Sequence, residues 1–116
     1  MNFQDIQTYC KSLPGTTTDL KWENDLCFCV GEKMYVVAGV SNDPGPSICF
    51  KTTQELSKVL ITREGIKPAP YLARYYWVVL ETPDCLPADE LKQFIKESYD
   101  MVRAKLPARI RKQLEQ

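Results

Sequence analysis

Apolar positions in the first twelve residues recur at the spacing of an α-helix. Phe3, Ile6 and Cys10 fall on one helical face, and Asn2 precedes them as a possible N-cap. The Leu-Pro-Gly segment at residues 13–15 ends this pattern, because proline and glycine interrupt a helix. We therefore predict a first helix over residues 2–12.

The following forty residues alternate between short apolar runs and turn signals. Residues 16–23 are polar and β-branched, which is typical of an extended approach segment. Residues 26–30, 34–40 and 47–51 are predicted as strands, separated by turns at residues 31–33 and 41–46. The first two of these strands form a β-hairpin, and all three form an antiparallel meander.

A helical pattern returns after Thr52 and Thr53, either of which can cap a helix that ends near Thr62. Residues 65–72 are predicted as a loop and residues 73–81 as a fourth strand. A long apolar stripe predicts the last helix over residues 88–106, and Pro107 ends it before a basic tail. The order α-β-β-β-α-β-α predicts a two-layer α+β fold: an antiparallel sheet with helices packed on one face, in a single domain over residues 1–116.

The fourth predicted strand raises a question about its aromatic residues. With strand alternation, Tyr75 and Trp77 share one face while Arg74 and Tyr76 share the other. Trp77 is most simply a core anchor. A cation beside aromatic rings can stack on bases and contact phosphate, or it can fix the loop through a cation–π contact. The residue types favour the second interpretation.

Charge adds a local feature to a neutral chain. The 15 basic and 15 acidic side chains cancel, which disfavours strong binding to nucleic acid. Residues 103–112 nevertheless carry five cations and no acid, so they can form a local basic face. A solvated helix end is the simpler interpretation of this tail, because the helix dipole also favours cations there.

Residue types that carry catalysis are scarce. The chain has no histidine and no phosphate-binding glycine motif, so we expect no enzyme activity and no cofactor. Five cysteines without an export signal are expected to be reduced, buried thiols, and no metal site is expected. No apolar run reaches the roughly 18 residues of a membrane helix, so we expect a cytoplasmic protein without a membrane partner.

Four segments together resemble the MmcQ/YjbR family of small bacterial proteins. They are GEKMYVVAGV (31–40), SICFKTT (47–53), GIKPAPYLARYYWVVLE (65–81) and LPADELKQFIKESYDMVRAKLP (86–107). The residues on the family's positions are Lys33, Met34, Lys51, Pro68, Trp77, Ser98 and Tyr99.

The resemblance implies an α+β fold like that of secretion chaperones or CyaY, DNA binding, and no catalytic residues. One departure is Tyr76, where family members often have histidine directly before the tryptophan.

The sequence therefore leaves two alternative functions. In the first, the chain binds DNA weakly and in a salt-dependent way. Its contact residues would be Lys51, Lys67, Tyr71, Arg74, Tyr76, Arg103, Arg109, Arg111 and Lys112. In the second, the chain is a protein-interaction module of chaperone-like fold, and zero net charge favours it. DNA binding gains if the cations share one surface, and the interaction module gains if glutamates interleave with them.

Overall fold

Six strands form one antiparallel sheet in the computed structural model, which describes residues 1–21, 25–39, 46–70 and 72–114. The spatial order is β1-β2-β3-β4-β6-β5, so β1 and β5 form the two edges. The strands are β1 (Thr16–Lys21), β2 (Asp25–Val30), β3 (Lys33–Gly39), β4 (Ser47–Lys51), β5 (Ile66–Pro68) and β6 (Trp77–Leu80).

Four helices accompany the sheet: α1 (Phe3–Ser12), α2 (Gln54–Leu60), α3 (Ala88–Ala104) and α4 (Ala108–Leu114). The core lies between the helices and one face of the sheet, and α3 runs across β2, β3 and β4. Leu91, Ile95 and Tyr99 repeat at helical spacing along the buried side of α3. The predicted α+β fold with helices on one face is confirmed.

Local capping signals fix where the first two helices begin. The Asn2 side chain accepts a hydrogen bond from the Asp5 amide at 2.8 Å, and the Asp5 carboxylate accepts one from the Asn2 amide at 3.2 Å. The Thr53 hydroxyl accepts from the Leu56 amide at 3.2 Å. Both helices were predicted from these residue types, and both predictions are confirmed.

A β-bulge in β3 brings a tyrosine into the core. Phe28 pairs with Val36 and Cys29 pairs with Met34, which leaves Tyr35 as an extra residue. The Tyr35 ring meets the Tyr99 ring edge to face at 5.2 Å. Its hydroxyl donates to the Cys10 carbonyl at 3.2 Å, so the bulge joins β3 to both α1 and α3.

The predicted strand over residues 73–81 is wrong at its beginning. Ala73–Tyr75 form a 3₁₀ turn, Tyr76 adopts the left-handed conformation with φ 66°, and the strand begins at Trp77. The Tyr76 amide donates to the Ala73 carbonyl at 2.9 Å, and the Tyr76 carbonyl accepts from the Thr52 amide at 2.9 Å. The bond from Tyr76 to Ala73 closes the turn, whereas the bond from Thr52 continues the ladder between β4 and β6, so the extended strand begins only at Trp77.

The strand alternation expected for Arg74, Tyr75 and Tyr76 is wrong for the same reason. Trp77 is buried as expected, although Val78 and Leu80 are the residues of β6 that join the core under the helices.

Three elements extend the predicted order. The approach segment forms β1, the predicted loop contains the short β5, and the basic tail forms α4. Residues 22–24, 40–45 and 115–116 lie outside the described residues, as does Tyr71. With them fall the end of the predicted approach segment, most of the predicted turn at residues 41–46 and the end of the basic tail. Among the helices of the described ranges, none is long and apolar enough to cross a membrane.

Candidate nucleic-acid interface

At one end of the sheet, segments that are distant in the sequence lie close together. The register places Thr16 beside Val30 and Lys51 beside Trp77, where β4 ends and β6 begins. The end of α3 packs against the turn between β2 and β3, since a Cβ added to Gly31 would lie 2.6 Å from the Leu106 Cδ1. We call this region the basic end.

Helix α4 continues along the same end toward the edge strand β1. Ile110 approaches Gly31, and Leu114 fills the space beside Gly15. Both glycines have positive φ, 77° at Gly15 and 56° at Gly31, so the backbone conformation and the close approach both exclude a side chain. Because Ile110 and Leu114 face the protein, the polar residues of α4 are exposed.

Cations outnumber acids at the basic end. It holds seven members of the expected DNA-contact set. Lys105, from the cluster at residues 103–112, and Lys33, named above only as a family position, lie there as well. The cations are Lys33, Lys51, Arg74, Arg103, Lys105, Arg109, Arg111 and Lys112. The acids are Glu32 in the turn, Glu55 in the first turn of α2, and Asp100, which lies one turn before Arg103 and pairs with Lys96 at 2.6 Å. Within the described ranges, none of these acids forms an ion pair with the eight cations, so the positive charge is not neutralised by direct contacts.

Lys51 is a structural residue as well as a cation. Its amide donates to the Ser98 hydroxyl at 3.0 Å, and its ammonium donates to the Tyr75 carbonyl at 2.9 Å. Partial burial, and then the neighbouring Lys105 ammonium, lower the pKa of Lys51. The bond to the Tyr75 carbonyl uses one of three ammonium donors, which leaves the others available for a ligand.

Exposed aromatic side chains adjoin Lys51. Tyr75 is 49% exposed and Tyr76 is 37% exposed. The Arg74 guanidinium lies 4.8 Å from the centre of the Tyr75 ring, so the cation–π contact weighed from the sequence is present. The arrangement supplies both positive charge and aromatic surface at one place.

Lys67 is the described member of the expected set that does not join the basic end. It lies on β5, opposite Val79, and its ammonium pairs with the Glu81 carboxylate at 2.8 Å. The hydrogen bond and the charge of Glu81 raise the pKa of Lys67. This cation is already neutralised by a neighbour.

The opposite end of the sheet carries the reverse charge pattern, and we call it the acidic end. Arg63 pairs there with Glu90 through two bonds of 3.2 and 3.3 Å. An open cleft of about 460 Å³ lies nearby, lined by Arg63, Glu64, Gly65, Glu81, Thr82, Asp84 and Cys85. Asp89 and Glu90 begin α3, where the helix dipole favours acids.

Glutamates interleaved with the cations would favour the interaction module over DNA binding, but most of the glutamates lie away from the basic end. Glu64 and Glu81 lie at the acidic end, and Glu97 lies midway along α3, hydrogen-bonded to Gln93 at 3.2 Å. Glu55 alone of these four lies at the basic end. The two charge types are therefore segregated along the strand direction.

Burial keeps two of the thiols protonated at neutral pH. All five cysteines are free, and Cys10, Cys27 and Cys29 are buried as expected, whereas Cys49 and Cys85 are half-buried. Burial raises the pKa of Cys10 to about 12 and that of Cys27 to about 11, so both stay protonated. In the described part of the chain, no group of three or more cysteine and acidic side chains could hold a metal ion.

The structure defines the fold class: this is an α+β protein with one antiparallel sheet and helices over one face. The chain belongs to the YjbR family, because the YjbR family model matches residues 11–101. The family membership predicted from the four sequence segments is therefore confirmed.

Solved structures show the same fold. A Deinococcus radiodurans protein with a DUF419 domain is 24% identical, with a TM-score of 0.87 over 98% of this chain and 88% of that one. A crystal structure from Pseudomonas syringae is 24% identical, with a TM-score of 0.70 over 88% of this chain and 99% of that one. A solution structure from the same organism is 23% identical with a TM-score of 0.65, over 88% and 93% of the two chains. No curated protein matches the chain.

Proposed function

We propose that this protein is a non-catalytic DNA-binding protein that holds the phosphate backbone against its basic end. The observation that carries the proposal is the segregation of charge: the cations of the basic end have no acidic partners in the described ranges, whereas Lys67 and Arg63 elsewhere are paired. Phosphate affinity depends on local cationic surface, so a neutral total charge is compatible with binding.

The dimensions of the basic end suit a DNA backbone. It extends from α4 near β1 to Arg74 before β6, which is four strand spacings or about 19 Å. A major groove is about 12 Å wide, so cations along this length can contact phosphates on both of its sides. Contacts of this kind position the protein and carry little sequence information.

The test is fluorescence anisotropy of a labelled duplex at several salt concentrations. With roughly five phosphate contacts, we expect the logarithm of affinity to fall with the logarithm of salt at a slope of about −4.5. The double variant Arg109→Ala/Arg111→Ala is expected to bind more weakly and to reduce the slope by about 2.

Lys67→Ala is the matched control, because it removes a cation from outside the basic end. An equal loss of affinity in this control, or the absence of binding at tens of micromolar in low salt, would contradict the proposal.

A second candidate function is protein interaction through the edge strand β1. Within the described ranges no strand pairs with the outer side of β1, and its Leu20 side chain is 59% exposed. An edge strand of this length can accept a strand from another protein. Leu20→Lys would then abolish capture of a partner and leave DNA affinity unchanged, whereas capture that survives this variant would speak against β1 as the interface.

A further inference from the structure

Tyr76 holds a backbone conformation that few tyrosines adopt. Its φ of 66° and ψ of 33° lie in the left-handed region, which favours glycine and asparagine. Three hydrogen bonds impose it: Tyr76 to Ala73, Thr52 to Tyr76, and the Lys51 ammonium to the Tyr75 carbonyl, each 2.9 Å. Strained residues of this kind concentrate at ligand-binding sites.

The side chain of Tyr76 does not explain why tyrosine occupies this position. Among the described residues, its hydroxyl has no hydrogen-bond partner and its ring has no aromatic or cationic contact. It is also 37% exposed, so its burial contributes only part of what a core tyrosine would. Fold stability alone would favour glycine or asparagine here.

Tyr75 shares this exposure and has one cation beside its ring. Its side chain is 49% exposed, and the Arg74 guanidinium lies 4.8 Å from the ring centre. The two tyrosines and Arg74 are consecutive and exposed residues in the turn that Lys51 holds in place. We call these three residues the aromatic step.

We infer that the aromatic step stacks on an unpaired nucleobase, so that the preferred ligand of the basic end is single-stranded DNA. The inference rests on the DNA binding proposed above. Bases inside a duplex are stacked on each other, whereas a single strand presents its aromatic faces to protein side chains. Lys51 and Lys105 lie beside the step and can contact the phosphates that flank the stacked base.

The experiment compares three fluorescein-labelled probes in anisotropy titrations at low salt. They are an oligothymidylate of about 12 nucleotides, an abasic strand of the same length, and a hairpin duplex with a similar number of phosphates. The protein is expected to bind the oligothymidylate at least about fivefold more tightly than the other two probes.

Two variants identify the step as the source of this preference. Tyr76→Asn removes the ring and keeps a residue that tolerates the left-handed conformation, and Tyr75→Leu keeps an apolar side chain without an aromatic face. Each is expected to lower single-strand affinity at least about fivefold more than duplex affinity. Arg109→Ala/Arg111→Ala is expected to weaken all three probes alike, and thermal unfolding checks that every variant is folded.

The outcomes separate this inference from the function on which it rests. Equal, salt-dependent affinity for all three probes, or tyrosine variants that keep the single-strand preference, overturns the inference and leaves DNA binding in place. No binding to any probe overturns both.

Discussion

The two ends of the sheet use the same charged residue types in opposite ways. At the acidic end, Arg63 and Lys67 each meet a glutamate, with nitrogen–oxygen distances of 3.2 and 2.8 Å. At the basic end, the cations of α4 have no such partners in the described ranges. One end therefore neutralises its charge internally, and the other presents it to the surroundings.

This difference arises from topology rather than composition. The antiparallel register brings the turn between β2 and β3, the end of β4 and the beginning of β6 to one end. Helix α3 begins near the acidic residues and ends beside Gly31, with Asp89 and Glu90 in its first turn and Arg103 in its last turn. A chain with zero net charge can thus be strongly polar along one axis.

The largest expected effect concerns Cys10, a fully buried residue of α1 whose carbonyl accepts a hydrogen bond from the Tyr35 hydroxyl. Burial raises the pKa of Cys10 from 9.0 to about 12, so the folded state favours the protonated thiol. This stabilisation is complete below about pH 9 and is lost as the pH rises toward 12. We expect the free energy of unfolding to fall over this range by an amount on the order of 4 kcal/mol as an upper bound.

Denaturant unfolding at neutral pH and at about pH 10.5 measures the first half of this loss, about 2 kcal/mol. Cys10→Ala lowers stability at neutral pH through the lost volume, and it should remove the Cys10 share of the pH dependence. Cys49, Cys27 and Tyr35, whose pKa values burial also raises, should keep the rest. An unchanged slope in Cys10→Ala would show that other groups cause the alkaline loss.

The next largest effect is expected from a substitution that removes the hydrogen bonds between α3 and the sheet at the basic end. The fully buried Ser98 hydroxyl donates to the Tyr35 carbonyl at 2.7 Å and accepts from the Lys51 amide at 3.0 Å. Ser98→Ala leaves both backbone groups without this partner, which costs about 1–3 kcal/mol in the free energy of unfolding.

Ser57→Ala is the matched control, because its hydroxyl donates to the Gln54 carbonyl near solvent. It should change stability by less than about 0.5 kcal/mol in the same denaturant titration. If both variants lose the same amount, Ser98 has no special role in joining α3 to the sheet.

A smaller effect is expected when an acid is removed from the basic end, which increases the difference in charge between the two ends. Glu32 has φ 68° and is one of the acids at the basic end. Glu32→Asn introduces a residue that tolerates this conformation, so stability should rise by about 0.5–1 kcal/mol. DNA affinity should rise as well, because a repulsive charge is removed.

Glu64→Gln removes an acid from the acidic end and provides the control for affinity. Anisotropy should show tighter binding for Glu32→Asn and no change for Glu64→Gln. Equal gains would mean that total charge, rather than its location, governs binding.

The smallest expected effect tests the pairing at the acidic end. The Arg63 and Glu90 side chains are 42% and 39% exposed, so solvent screens their ion pair. Arg63→Met should lower the free energy of unfolding by about 0.5 kcal/mol, and the loss should shrink at high salt. A loss that does not depend on salt would point to packing of the Arg63 stem instead.

Much of the fold could be predicted because its signals are local. The caps at Asn2 and Thr53 and the glycine turn at Gly31 each depend on a few consecutive residues. The start of β6 could not be predicted this way. Its 3₁₀ turn is held by Thr52 and Lys51, which lie more than twenty positions earlier in the chain.

The residues of the candidate site also divide into those that local sequence predicts and those that only the tertiary structure brings together. The cations of residues 103–112 were visible as a sequence cluster. Lys33 could be placed beside them only from the strand register. Lys67 lies outside the basic end because it is on β5, where its ammonium pairs with the Glu81 carboxylate. The exposed rings of the step follow from a backbone conformation that residue types alone do not specify.

The segregation of charge has a practical consequence for how this protein behaves on a chromatography resin. A column responds to the face that a molecule turns toward it, rather than to an average over the whole surface. Near its isoelectric point of about 6.3, this protein should be retained by a cation exchanger through α4 and by an anion exchanger through the residues around Glu81 and Asp84. A single neutral molecule would then elute late from two columns of opposite sign.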